Sequence, residues 1–168
     1  MSKPNLTLKK DADGTEIEER LNIGSSILDS PTRIFEGVEN ALEQLSQHYK
    51  LLLITKGELV DQERKISNSQ LAKYFDFIDI ISEKTPQAYA RVLSDKGISP
   101  KNFFMIGNSV KSDILPVLNI GGHAIHIPYK YTWKHEEYPI ERSVQSYPVL
   151  YSIAEVTDFL KERGKTYE

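Results

Sequence analysis

The amino-acid sequence predicts an α/β fold, with a mainly parallel β-sheet flanked by helices. Three observations predict it. Short runs such as Leu51-Leu52-Leu53-Ile54 and Phe103-Phe104-Met105-Ile106 are apolar at successive positions, which suits strands covered on both faces. Each run ends in small or polar residues, Thr55-Lys56-Gly57 and Gly107-Asn108-Ser109. Between the runs lie stretches whose apolar residues recur at helical spacing, so strands and helices alternate as in βαβ units.

Taken in order, Leu6 and Leu8 alternate with polar residues, as in a short edge strand, and Asp11-Ala12-Asp13-Gly14 is turn chemistry. Thr15 and Glu18 have the spacing of a capping box, and Ile17, Leu21, Gly24 and Leu28 follow on one helical face. Pro31 limits that helix. A second helix opens at Phe35–Val38, buries Val38, Leu42 and Leu45, and fades near Gln47. Strands are expected at Lys50–Ile54, Phe75–Ile81, Phe103–Ile106 and His123–Pro128, the second nearer an edge because it is less purely apolar. Helices are expected from Asp61 to Tyr74, with Ile66 and Leu71 inward, and from Pro86 to Gly97, with Tyr89, Val92 and Leu93 inward. Thr85 is the N-cap of the latter, and Pro86 takes the first helical position, where its missing N–H costs nothing. Ser112-Asp113 leads into a helix bearing Ile114, Leu115, Val117 and Leu118, ended by Gly121-Gly122. Tyr129 to Pro148 reads as an irregular aromatic loop. Ser152 and Glu155 cap a last helix that closes at Gly164.

Composition bounds the function. The 168 residues suit one ordinary domain with a real core. A net charge of −3 and a pI near 5.9 leave no electrostatic footprint for nucleic acid. The absence of cysteine excludes disulfides and thiolate metal sites and fits a reducing, cytoplasmic setting. Met1 to Lys10 has no apolar h-region, and no apolar run approaches ~18 residues, so neither a signal peptide nor a membrane span is expected. His123 and His126 are separated by an odd spacing on one strand, so they point to opposite faces and make no simple metal pair.

In open α/β sheets ligands bind beyond the carboxyl ends of the strands. Thr55, Lys84 and Asp113 each follow a different strand and should converge on that edge. Asp113 is a natural Mg²⁺ ligand there; its structural alternative is a favourable anion at a helix start. Likewise Thr55 could simply cap a turn and Lys84 could be a solvated lysine.

LLLITKG, SEKTP and IGNSVKSD, in this order and spacing, resemble the second, third and fourth motifs of the haloacid dehalogenase-like superfamily, over about Phe35 to Tyr129. The resemblance implies a Rossmann-like core and a Mg²⁺-dependent phosphohydrolase acting on a small phosphorylated molecule. It implies that Thr55, with Lys56 and Gly57, binds a phosphoryl group, that Lys84 neutralises its charge, that Asn108 contacts substrate and that Asp113 holds the Mg²⁺. Residues 1–34 would then be an N-terminal segment with one helix, a remnant of a cap, and residues 35–168 the core.

The superfamily's first motif is Asp-x-Asp-x-Thr at the end of a central strand, and it supplies the nucleophile. Asp11-Ala12-Asp13-Gly14-Thr15 has that pattern literally. Lys9-Lys10 directly precede it, however, and the capping box accounts for the same residues without chemistry. Two readings follow: a phosphohydrolase using Asp11, or a truncated, non-catalytic relative acting as a binding or assembly module. Without a first strand, those at Lys50–Ile54 and Phe103–Ile106 expose central edges, which Leu6-Thr7-Leu8, direct pairing of the two strands or self-association into a homo-oligomer would cover.

Overall fold

The computed structural model describes residues 34–129 and 147–164. The expected strand at Leu6–Leu8, the Asp11–Thr15 motif, the helix after Thr15, the proposed domain boundary at residue 34 and most of the aromatic loop lie outside or at the limit of these residues.

Among the described residues the elements run α1 (Val38–Ser46), β1 (Leu52–Lys56), α2 (Leu59–Ser69), β2 (Phe77–Ile81), α3 (Pro86–Asp95), β3 (Phe104–Gly107), α4 (Leu115–Asn119), β4 (His123–His126) and α5 (Ile153–Gly164). All the strand pairing among the described residues is parallel. β1 pairs with β2, with Thr55 opposite Ile80, and β3 pairs with β4, with Gly107 opposite His126. The two pairs are not hydrogen-bonded to each other among the described residues. Direct pairing of β1 with β3, one of the expected remedies for a missing strand, is therefore not how these edges meet.

Side-chain alternation along the strands builds three layers. Ile54 of β1, Met105 of β3 and Ala124 of β4 join Tyr89, Val92 and Leu93 of α3 and Val117 of α4 in one core. Phe104, Ile106 and Ile125 point the other way, into a second core closed by Leu45 of α1 and by Val156 and Leu160 of α5. Helices thus cover both faces, the Rossmann-like arrangement, and both strand pairs contribute to a single body.

Local signals hold where they are self-contained. The Thr85 side chain accepts a hydrogen bond from the Ala88 amide (3.2 Å) with Pro86 as first helical residue. The Ser152 Oγ accepts from the Glu155 amide (3.3 Å), while Glu155 reaches back to the Tyr151 amide (3.2 Å). Boundaries move where distant residues intervene. β1 starts at Leu52 rather than Lys50, because the Leu51 amide donates to the Asp76 carboxylate (2.8 Å) and the Leu51 carbonyl accepts from Asp76 and Phe77. At its other end it runs through Thr55 and Lys56, expected in the turn, because these pair with Ile80 and Ile81 of β2. α2 ends at Ser69, not Tyr74: Gln70 is left-handed at φ 57°, and a separate 3₁₀ turn spans Ala72–Tyr74. None of α2's residues is buried, so Ile66 is only half covered.

The segment after β3 also differs from the expected simple helix start. Ser109 caps it by accepting from the Ser112 amide (3.1 Å), a π-helical turn covers Val110–Ile114, and only then does α4 begin. The wide turn is what brings Asp113 back over Gly107.

Candidate active site

Parallel pairing puts the carboxyl ends of β1 and β2 on one edge, and those of β3 and β4 on one edge. The contact that makes these the same edge is an ion pair. Lys84, in the turn after β2, reaches Asp113, in the turn after β3, with Nζ 2.6 Å from Oδ1. Asp113 keeps 4% of its side chain exposed and Lys84 17%.

Asp113 is held from four sides. Its Oδ1 accepts from Lys84 and lies 3.5 Å from the Tyr89 hydroxyl, and its Oδ2 accepts from the Ser109 amide (3.0 Å). The Cβ that any other residue would carry at Gly107 would overlap the Asp113 side chain. Tyr89, fully buried on α3, donates its hydroxyl hydrogen to the Ser112 carbonyl (3.1 Å) and so ties α3 to the turn that carries Asp113. Burial, and then the neighbouring Asp113 carboxylate, push the Tyr89 phenol well above its ordinary range.

Thr55, next to last in β1, is half-buried, and its hydroxyl donates to Oε1 of Gln62 on α2 (2.8 Å). Lys56, the last residue of β1, and Gly57, at the head of the following turn, are both exposed, Gly57 at φ +152°. Asn108 is exposed as well; its carbonyl lies 3.0 Å from Nε2 of the buried His126. His123 stacks on Phe104 instead, with ring centroids 4.6 Å apart, so the two histidines do face apart as their spacing requires.

The structure thus brings Lys84 and Asp113 into contact and puts Thr55 at the end of β1, beside the strand whose turn carries Lys84. Sequence reasoning missed three residues that hold this set. Ser109 was legible in principle, since Ser109 and Ser112 have cap spacing. Tyr89 has the spacing of a core residue, and nothing local discloses where its hydroxyl goes. Gln62 carries no sequence signal, because its partner lies across a turn.

The donor set admits Mg²⁺ in part. Asp113 offers one buried carboxylate of the kind Mg²⁺ uses together with waters and phosphate oxygens. Among the described residues no group of three or more His, Cys, Asp or Glu is disposed to hold a metal.

Comparison with known proteins accords with this geometry. Residues 6–127 match the haloacid dehalogenase-like hydrolase family. N-acylneuraminate-9-phosphatase of Rattus norvegicus is 30% identical over 91 residues, which is 51% of this chain and 37% of that protein. The human enzyme is 29% identical over the same coverage. The chain therefore spans well under half the length of these curated relatives. A haloacid dehalogenase-like family hydrolase from Xanthomonas campestris superposes with a TM-score of 0.75 at 33% identity, over 90% of this chain and 64% of that one. The HAD-hydrolase YfnB from Bacillus subtilis, solved bound to magnesium, shares the fold at 17% identity and a TM-score of 0.69, over 89% of this chain and 64% of that one. With the family match covering well over half of its length, this chain belongs to the haloacid dehalogenase-like hydrolase family.

Proposed function

We propose that this chain carries the phosphate-binding and charge-neutralising half of a phosphate-ester hydrolase site. The observation that carries the reading is the 2.6 Å contact between Lys84 and Asp113, which joins two strand-end turns at one edge. Phosphoryl transfer asks a protein chiefly for positioning and charge neutralisation. In this reading Thr55 and the backbone of Lys56–Gly57 bind phosphoryl oxygens, Asn108 contacts the substrate and Lys84 neutralises developing charge. Asp113 holds Mg²⁺ and keeps Lys84 in place. When bound, Mg²⁺ supplies charge neutralisation between a carboxylate nucleophile and the phosphoryl oxygens. That nucleophile would form an aspartyl-phosphate and split one difficult displacement into two; Asp11 is the sequence candidate. The substrate class is a small phosphorylated molecule, without nucleic acid or membrane as partner, and the setting is cytoplasmic.

A second reading is a non-catalytic family member acting as a binding or assembly module. It is favoured by the lysines directly before Asp11; among the described residues, Asp113 is the one carboxylate in the Lys84–Tyr89–Ser109 cluster. In either reading, a strand from residues 5–10 or from a second copy covers the edges of β1 and β3, and the homo-oligomer is the form proposed where the chain's own residues do not.

The test is hydrolysis of p-nitrophenyl phosphate and acetyl phosphate with and without Mg²⁺, by the chain and by its Asp11→Asn and Asp113→Asn variants. Mg²⁺-dependent turnover lost in both variants supports the enzyme and assigns Asp11. Turnover lost only in Asp113→Asn removes Asp11 as nucleophile. No turnover, with weak Mg²⁺ binding by calorimetry, leaves the binding module.

A further inference from the structure

Resting on the phosphate-site reading, one conflict at Thr55 points to a residue the motifs do not name. The Thr55 hydroxyl has one hydrogen, and it is given to Oε1 of Gln62 at 2.8 Å, an atom that can only accept. A phosphoryl oxygen is also only an acceptor, so it competes for the same hydrogen.

The surroundings of Gln62 explain why its amide faces this way. Its Nε2 lies 3.4 Å from Oδ2 of Asp61, the preceding residue. Turning the amide over would set Oε1 against that carboxylate. Asp61 is itself fixed and countered by Arg64 and Lys65, each 2.6 Å away. The amide also rests on the Thr55–Gly57 turn: a Cβ at Gly57 would come within 2.8 Å of Nε2. Gln62 therefore contacts two of the residues assigned to phosphate binding while lying on a different element from both.

We propose that Gln62 is a positioning residue that sets the direction of the Thr55 hydrogen bond. With no phosphate bound, Oε1 holds the hydrogen. When phosphate binds, the side-chain amide reverses, Nε2 donates to Thr55 Oγ1, and the Thr55 hydrogen turns to the phosphoryl oxygen. A primary amide can do this because one end accepts and the other donates. The Oε1 that then faces Asp61 is tolerated because Arg64 and Lys65 already counter the carboxylate. A glutamate at this position is nearly isosteric but, when ionised, accepts only, so it would keep the hydrogen. A methionine there neither holds it nor supplies it.

The experiment is a double-mutant cycle read by calorimetric titration of inorganic phosphate into the full chain at saturating Mg²⁺. The proteins are the unsubstituted chain, Gln62→Glu, Thr55→Val and the double variant, with Gln62→Met alone and in the Thr55→Val background as the uncharged control. The added charge of glutamate acts in both backgrounds, whereas the hydrogen-bond effect needs the Thr55 hydroxyl. The expected result is that Gln62→Glu weakens phosphate binding at least about fivefold more with Thr55 present than with Thr55→Val, and that Gln62→Met weakens it less than Gln62→Glu. Equal weakening in both backgrounds for both substitutions would overturn the role of Gln62 and leave the phosphate site standing. No phosphate binding by the unsubstituted chain would overturn the phosphate-site reading and this inference with it.

Discussion

At the scale of single residues, the candidate site rests on a buried carboxylate that, among the described residues, is held by Lys84, Tyr89 and Ser109. Removing one member of a buried ion pair strands the other charge and costs about 3–5 kcal/mol. Asp113 retains the Ser109 amide and Lys84 is partly exposed, so Lys84→Met is expected to lower stability by about 2–3 kcal/mol, read from urea unfolding. A loss below about 0.5 kcal/mol would show the pair to be solvated rather than structural. Tyr89 adds a pH signature. Its phenol stays protonated in the folded chain above the pH at which an unfolded tyrosine ionises, ~10. A raised folded pKa contributes stability that is fully present below the unfolded value and is lost as pH rises beyond it. Tyr89→Phe removes a hydrogen bond to Ser112 at a cost of about 1 kcal/mol near neutrality. Above pH ~10 the unsubstituted chain should lose its advantage over the variant at on the order of 1 kcal/mol per pH unit. Parallel unfolding curves across pH 9–11 would contradict the buried environment assigned to that hydroxyl.

At the scale of elements, two short turns place the chemistry. Thr85 caps α3 immediately after Lys84, so the cap fixes both the start of the helix and the exit angle of the lysine. Thr85→Ala should cost about 1 kcal/mol in stability, and if the ion pair depends on the cap, the double variant with Lys84→Met should lose less than the sum of the two single losses. Full additivity would separate cap from ion pair. The π-helical turn Val110–Ile114 folds Asp113 back over β3, and this close approach depends on Gly107 lacking a Cβ. Gly107→Ala is expected to displace Asp113 and to weaken Mg²⁺ and phosphate binding more than it lowers the melting temperature. Unchanged ligand binding in a folded Gly107→Ala chain would show that the turn can relax without cost. Elsewhere, Lys96 at the end of α3 pairs with Asp79 of β2 at 2.6 Å, holding the helix along the strand that precedes it.

At the scale of the molecule, two parallel pairs share a core yet are not bonded to each other among the described residues. Each unmatched buried backbone group along β1 and β3 would cost about 1–3 kcal/mol, against a net domain stability of ~5–15 kcal/mol. A strand covering these edges would remove that cost. Sedimentation over a wide concentration range, combined with amide hydrogen exchange at Leu52–Thr55 and Phe104–Ile106, distinguishes the sources. A concentration-dependent dimer whose protection in these strands grows with concentration is the expected result for exchange between copies. A monomer with slowly exchanging amides would instead put the covering strand within the chain's own residues.

What the sequence alone determined was local. Alternating apolar runs and helical periods specified an α/β chain, and cap spacings at Thr85 and Ser152 set two helix starts, because these features involve neighbours a few residues apart. The motifs also named Lys84 and Asp113, which do meet. Tertiary structure alone decided which strands pair, where β1 begins and what each polar group bonds. Asp76, not the apolar pattern, terminates β1 at its start, and Gln62, not a ligand, takes the Thr55 hydrogen. The reason is physical: a residue's type states what it can donate or accept, while its partner is chosen by chain crossings that bring together residues distant in sequence, as at Lys84–Asp113 and Tyr89–Ser112.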